Sequence, residues 1–335
     1  MTSGPGRTDF KAHEGLSDQQ LRDMLYTMLV ARQLNDRMIV LSRQGRAAFA
    51  ITGQGQEACQ VGSAVALRPR RDWVLPYYRD VGVVLTLGMT SREIMLHFLA
   101  RAADPNSGGR QMPNHWSSPA LRIPTQSSVV ATRVLHAAGI ALATKLRRED
   151  DVTIAYLGEG GTSQGDFHEA LNFASIRRLP VVYFCENNGY AISEVQAKEM
   201  AVGHVADRAR AYGFRGYTVD GNDLLAVYHT TRWAVEECRR GRGPALIEAK
   251  TYRLVPHSSS DDDRRYRTRA EVAEWAARDP IDRFRSYLVE ERILHADEAD
   301  DLERRAEAEV EDAVEFAEAQ PMPVPETALQ KVFAR

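Results

Sequence analysis

Two polar motifs, each closing an apolar run, constrain this chain most. Gly158-Glu-Gly160 follows Val152-Thr-Ile-Ala-Tyr-Leu157, and Asn187-Asn188 follows Val181-Val-Tyr-Phe-Cys185, with 26 residues between the motifs. Two short β-like runs with a helical stretch between them are what a parallel β-α-β unit requires. Both motifs then lie outside the carboxyl ends of neighbouring strands, where open α/β sheets bind ligands. A carboxylate and an amide oxygen meeting there, with glycines beside them, suit a hard cation that holds a diphosphate.

The familiar phosphate loops fail on inspection. A dinucleotide fingerprint needs a third glycine where Ser163 stands, and a P-loop needs a lysine where Asp166 stands. What remains is an acidic ligand in a glycine-rich turn, an Asn-Asn pair after the next strand, and a helix start near Asp166. Glu159 and Asn188 supply two side-chain oxygens, and a backbone carbonyl from Asn188-Gly-Tyr190 a third; two diphosphate oxygens and a water complete the octahedron magnesium prefers. Taken singly, Gly158-Glu-Gly-Gly161 and Asn187-Asn-Gly189 are also ordinary turn sequences.

Composition narrows the class. With 335 residues, 44% of them hydrophobic, the chain can bury one large core or two modest ones. A net charge of −3 gives no field that attracts nucleic acid or an anionic membrane. Cys59, Cys185 and Cys238 are widely spaced, with no Cys-x-x-Cys pair. Cys185 sits inside a strand pattern as a small core residue. No apolar run is long enough for a membrane span, and residues 1–7 lack the hydrophobic segment of a secretory signal. A bacterial cytoplasmic protein is expected.

Along the chain, residues 1–16 read as a flexible arm, and 17–325 as one domain whose C-terminal helices begin near 268. Ser17-Asp-Gln-Gln20 is a capping box for a long helix with Leu21, Met24, Leu25, Met28, Leu29 and Leu34 on one face. Further helices are expected over 57–67 and from the Thr90-Ser-Arg-Glu93 box, then a long loop over 103–127. From Val129 onward, helix and strand alternate through strands near 152–157, 181–185, 216–219 and 245–250. The fold class is therefore α/β, a doubly wound, mainly parallel sheet flanked by helices, with an N-terminal helical arm and a C-terminal helical extension.

At this point the chain resembles the α subunits of thiamine diphosphate-dependent 2-oxo acid dehydrogenases, the decarboxylating first component, and most closely those of branched-chain complexes. The resemblance rests on Gly109-Arg-Gln-Met-Pro113 with His115, Gly158-Glu-Gly160, Phe184-Cys-Glu-Asn-Asn-Gly-Tyr-Ala-Ile-Ser193, Val219-Asp-Gly-Asn-Asp223, and Tyr252-Arg253 followed by His257-Ser-Ser-Ser-Asp-Asp262. It covers about residues 20 to 320 and implies a thiamine diphosphate-binding fold with Mg2+. It implies that Glu159, Asn188 and the Tyr190 carbonyl hold the metal. Gly160 and Gly161 then admit the phosphates, Tyr78-Arg79 contacts the diphosphate, and Ser128 and Val130 hold the aminopyrimidine. His257 would serve as the catalytic group, reaching the substrate carboxylate and the diphosphate.

The same resemblance implies partners. The glutamate that activates the cofactor comes from a separate β subunit in this family, so an α2β2 heterotetramer is expected. The acyl product of a branched-chain 2-oxo acid would pass to a lipoyl-bearing acyltransferase. Four departures stand out. Val130 is shorter than the usual residue, and Arg133 replaces a glutamine that helps bind potassium, so its guanidinium is expected to replace that cation. Tyr77 replaces a glutamine near the acyl side chain, and Glu186 an arginine near the diphosphate; glutamate occurs there in pyruvate enzymes. A pyruvate or acetoin dehydrogenase α subunit and a non-catalytic assembly paralogue therefore stay open as alternatives.

Overall fold

The computed structural model describes residues 13–330. Most of the arm expected at 1–16 lies outside the described residues; in its last part His13 Nδ1 meets the Tyr287 hydroxyl at 2.6 Å, and Leu16 is buried. The first half is helical: α1 (Asp18–Arg43), α2 (Glu57–Val65), the short strand β1 (Trp73–Leu75), α3 (Val81–Thr86) and α4 (Ser91–Phe98). Both expected capping boxes are present, at Ser17 and at Thr90.

The second half alternates. It runs α5 (Thr132–Arg147), β2 (Thr153–Gly158), α6 (Gly165–Arg177) and β3 (Val181–Asn187), then a two-stranded ribbon of β4 (Tyr190–Ala191) and β5 (Glu194–Val195), and α7 (Gln196–Glu199). After a 3-10 segment at Val205–Tyr212 come β6 (Gly216–Asp220), α8 (Leu224–Arg239) and β7 (Ala245–Lys250). That 3-10 segment is thus wound more tightly than an α-helix. Helices α9 (Arg269–Ala276), α10 (Pro280–Glu290) and α11 (Ala296–Glu318) complete the C-terminal part.

The main sheet has the order β1-β2-β3-β7-β6, and every pair is parallel. The inner strands β2 and β3 are largely apolar on both faces because helices cover both. Ile154, Tyr156, Val182, Phe184 and Ile247 face one core with α1, α2 and α8; Ala155, Leu157, Val181, Tyr183 and Cys185 face a second with α5 and α6. Strand β1 escapes the sequence reading because three residues carry too little periodicity to register.

Phe167, in the first turn of α6, is fully buried in the second core just after the Glu159–Ser163 turn. Phe167→Ala is expected to cost about 3–5 kcal/mol of stability, measured by urea unfolding followed by circular dichroism.

Candidate active site

Strands β2 and β3 pair in register so that Gly158 lies opposite Glu186. The next residues on each strand therefore emerge side by side. Glu159 opens a 3-10 turn, buried, and its Oε2 accepts the Asn188 backbone N–H at 3.1 Å. Asn188 is buried too, and its Oδ1 accepts from Tyr190 N at 3.3 Å. Gly189, at φ +83°, makes this reversal possible, since that conformation costs glycine nothing. Glu159, Asn188 and Tyr190 are thus brought together as expected.

Burial, the largest influence, raises the Glu159 carboxyl above its ordinary range, with two backbone N–H groups acting the other way. A buried carboxylate with so few partners is an invitation to a cation. Among the described residues, no cluster of three or more His, Cys, Asp or Glu side chains could hold a metal. A divalent ion here would depend on one carboxylate, amide and carbonyl oxygens, and ligand phosphate, a hard-oxygen set of the kind magnesium takes.

Gly160 fits a crowded cradle. A Cβ there would stand 2.8 Å from Ala191 Cβ, so the turn packs against β4 only without a side chain. Gly161 lies beside the strap that carries Ser128 and Val130: a Cβ on it would be 3.9 Å from Ala131 N. Ser128 and Val130 are themselves exposed. His115 Nε2 hydrogen-bonds the Ser128 hydroxyl while its Nδ1 faces Pro113 O at 3.0 Å, which ties the 109–115 motif to the strap.

Arg79 and His257 converge from opposite ends of the sequence. Arg79, 2% exposed, donates through Nη1 to Thr52 O at 2.6 Å and through Nη2 to His257 O at 3.1 Å. Its Nη2 also lies 2.9 Å from His257 Nδ1. A guanidinium only donates, so Nδ1 is the acceptor and the single imidazole proton sits on Nε2. Burial, reinforced by Arg79 and then Arg253, pushes the His257 pKa down to about 3, so the ring is neutral near pH 7. Tyr78 packs edge-on to this ring at 6.5 Å between centroids.

Arg253 is the residue whose role the sequence reading did not assign, although it belongs to a quoted motif. It is 1% exposed and donates to Ile192 O at 2.9 Å and to the Tyr266 hydroxyl at 3.0 Å, yet its Nη1 has no hydrogen-bond partner. Ile192, whose carbonyl it holds, sits at φ 57°, a genuine outlier for a β-branched residue. Two buried guanidiniums and a neutral imidazole form one cluster, with Asp261 Oδ2 accepting the His257 backbone N–H at 2.8 Å and one Arg253 donor left orphaned. A diphosphate beside Glu159 and Asn188 would give that donor a partner.

The departures also find places. Glu186 is fully buried, with its Oε2 3.3 Å from both Gln60 Nε2 and the Tyr77 hydroxyl, and Gln60 Nε2 also donates to Arg79 O at 3.0 Å. Burial pushes it up to about 7 and drives its neighbour Asp80 well above the usual range. Tyr77 is correspondingly buried and engaged with Glu186. Arg133 Nη2 donates to Ser127 O at 2.9 Å, beneath the strap, and its guanidinium lies 5.8 Å from the Tyr77 ring centre.

Comparison with known proteins is decisive here. Residues 26–326 match the family model described as "Dehydrogenase E1 component". The chain belongs to the dehydrogenase E1 component family. It is similar to the 2-oxoisovalerate dehydrogenase subunit alpha of Bacillus subtilis (strain 168), at 49% identity over 321 residues, covering 96% of this chain and 97% of that one. It also resembles the 3-methyl-2-oxobutanoate dehydrogenase subunit alpha of Mycobacterium tuberculosis at 39% over 314 residues, covering 93% and 83% of the two chains. The pyruvate dehydrogenase E1 component subunit alpha of Staphylococcus aureus is 38% identical over 308 residues, covering 90% and 79%. As in the sequence reading, E1 relatives named for branched-chain acids and for pyruvate both appear.

The His257 environment makes a pH prediction. Between about 6.5 and about 3 the unfolded chain gains a proton at this ring that the folded chain refuses, so acidification across that window removes stability. His257→Gln is expected to reduce this acid-side loss, measured as unfolding midpoint against pH.

Proposed function

We propose that this E1 chain is the α subunit of the decarboxylating component of a branched-chain 2-oxo acid dehydrogenase complex, and that it holds one half of a thiamine diphosphate–magnesium site. The observation that carries the reading is the Glu159–Asn188 contact together with the buried Arg79–Arg253–His257 cluster and its unpaired Arg253 Nη1. Glu159, Asn188 and the Tyr190 carbonyl would hold Mg2+. Backbone N–H groups at Gly160 and Gly161 would approach the diphosphate, and Arg79 would neutralise it with charge-assisted hydrogen bonds. Bound thiamine diphosphate supplies the carbanion-stabilising chemistry.

His257 has a defined task in this scheme. With Nδ1 engaged by Arg79, its Nε2–H is the free donor, suited to a substrate carboxylate or a phosphate oxygen. A neutral donor can orient a 2-oxo acid without trapping its carboxylate in a tight ion pair, which would resist decarboxylation. Tyr78 backs the ring, and Ser128 and Val130 would take the ring end of the cofactor.

An apolar rim supports the need for a partner. Met112, Val129, Val130 and Ile192 are 41–64% exposed around the site. A β subunit seated there would cover them and bring the activating carboxylate, giving α2β2 assembly. The acyl group would then pass to the lipoyl group of the acyltransferase component. No helix among the described residues is long and apolar enough to cross a membrane. One observation favours the second reading, pyruvate as substrate: the chain is 38% identical over 308 residues to a pyruvate dehydrogenase E1 component subunit alpha.

Co-expression with a β subunit and assay on a panel of 2-oxo acids tests the proposal. Branched-chain acids are expected to turn over best in the tetramer, and Glu159→Ala to abolish magnesium-dependent cofactor binding. Undiminished binding by that variant, or turnover by the isolated chain, would defeat the split-site assignment. Because the Arg133 guanidinium occupies the strap, cofactor affinity is expected to be equal in potassium and choline chloride at one ionic strength. A potassium requirement would exclude that role.

A further inference from the structure

Glu248 is a buried carboxylate in the middle of the sheet, on β7 between β3 and β6, where an aliphatic residue would be the ordinary choice. Groups from five places converge on it. Its Oε1 accepts from Asn187 Nδ2 at 2.6 Å and pairs with Lys250 Nζ at 2.6 Å. Its Oε2 accepts from Ala206 N at 3.1 Å and from Thr218 Oγ1 at 3.3 Å, with His204 Nδ1 3.8 Å away. Burial acts to raise this carboxyl, but the Lys250 ammonium and the N–H donors prevail and hold it below its ordinary value.

The partner that matters for the site is Asn187. Its Nδ2 is shared between Glu248 and Gln196 Oε1 at 2.7 Å, and its Oδ1 accepts Gly189 N at 3.0 Å. Every polar atom of that side chain is therefore committed. An asparagine amide can flip, presenting either oxygen or nitrogen to a neighbour. A carboxylate only accepts, so Glu248 forces Nδ2 toward itself and Oδ1 toward Gly189. That orientation closes the turn that sets Asn188 against Glu159 and aims the Tyr190 carbonyl.

We infer that Glu248 is a positioning residue for the metal-binding turn, acting through the Asn187 amide. This rests on the reading of Glu159, Asn188 and Tyr190 as magnesium ligands. Partners that orient a metal's ligands typically contribute 10–100-fold in metal affinity.

The test uses the α2β2 holoenzyme with saturating thiamine diphosphate and Mn2+ as the probe, its binding read by electron paramagnetic resonance. Glu248→Ala is expected to weaken Mn2+ binding about 10–100-fold. Asn187→Ala is expected to do the same, and the double variant to lose no more than Asn187→Ala alone, because the two act in series. Fully additive losses, or unchanged Mn2+ affinity with only a lowered melting temperature, would overturn the inference. Should the alanine variant fail to assemble, Glu248→Leu decides. Leucine keeps most of the bulk and offers Asn187 Nδ2 no acceptor, so weaker Mn2+ binding supports the role and wild-type affinity refutes it. Glu159→Ala run alongside separates the two levels. If it keeps the Mn2+ site, the ligand assignment itself fails; if it loses the site while Glu248→Ala binds normally, only the present inference fails.

Discussion

The parallel pairing of β2 with β3 is the constraint on which the rest depends. Because Gly158 stands opposite Glu186, the residues just beyond each strand end emerge at one level, and Glu159 meets the backbone of Asn188. A shift of one residue would send every β3 side chain to the opposite face and carry Asn188 out of reach. The two apolar cores, one on each side of the sheet, forbid such a shift. Packing that has no chemical role thus fixes the spacing of the groups that do.

Around that point the protein gathers buried charged groups that are not joined in direct ion pairs. Arg79 and Arg253 are buried with carbonyl, imidazole and hydroxyl partners rather than carboxylates, and Glu159 is buried with backbone donors. Folding alone has no reason to hide a guanidinium whose Nη1 is unpaired. On the function proposed above, a diphosphate and a divalent ion would complete this arrangement. The cost of leaving these groups incompletely paired is offset elsewhere, by inner strands that are largely apolar on both faces.

The same logic separates Glu186 from Glu159, although both acids belong to the ends of adjacent strands. Glu159 lies past the end of β2 beside the Asn188 turn; Glu186 is still within β3 and its side chain falls on the same face as Phe184. Alternation along the strand, more than chemistry, decides which acid can reach a ligand. Glu248 illustrates a third outcome: an acid kept in the sheet that reaches the site only through a neighbour's amide.

Local sequence by itself determined the helices with capping boxes at Ser17 and Thr90, the alternation of strands and helices after Val129, and the meeting of Glu159 with Asn188. Each of these is written in nearest-neighbour propensity, hydrophobic period or strand-end position. The E1 family motifs added Arg79 and His257, which composition and spacing could not have joined, since 178 residues separate them. Only tertiary structure decided that His257 is held neutral, that Arg253 keeps a buried unpaired donor, that Glu186 meets Gln60 and Tyr77, and that Glu248 orients Asn187. Those outcomes depend on desolvation and on donors supplied by distant segments. Such long-range terms leave no periodic trace along the chain.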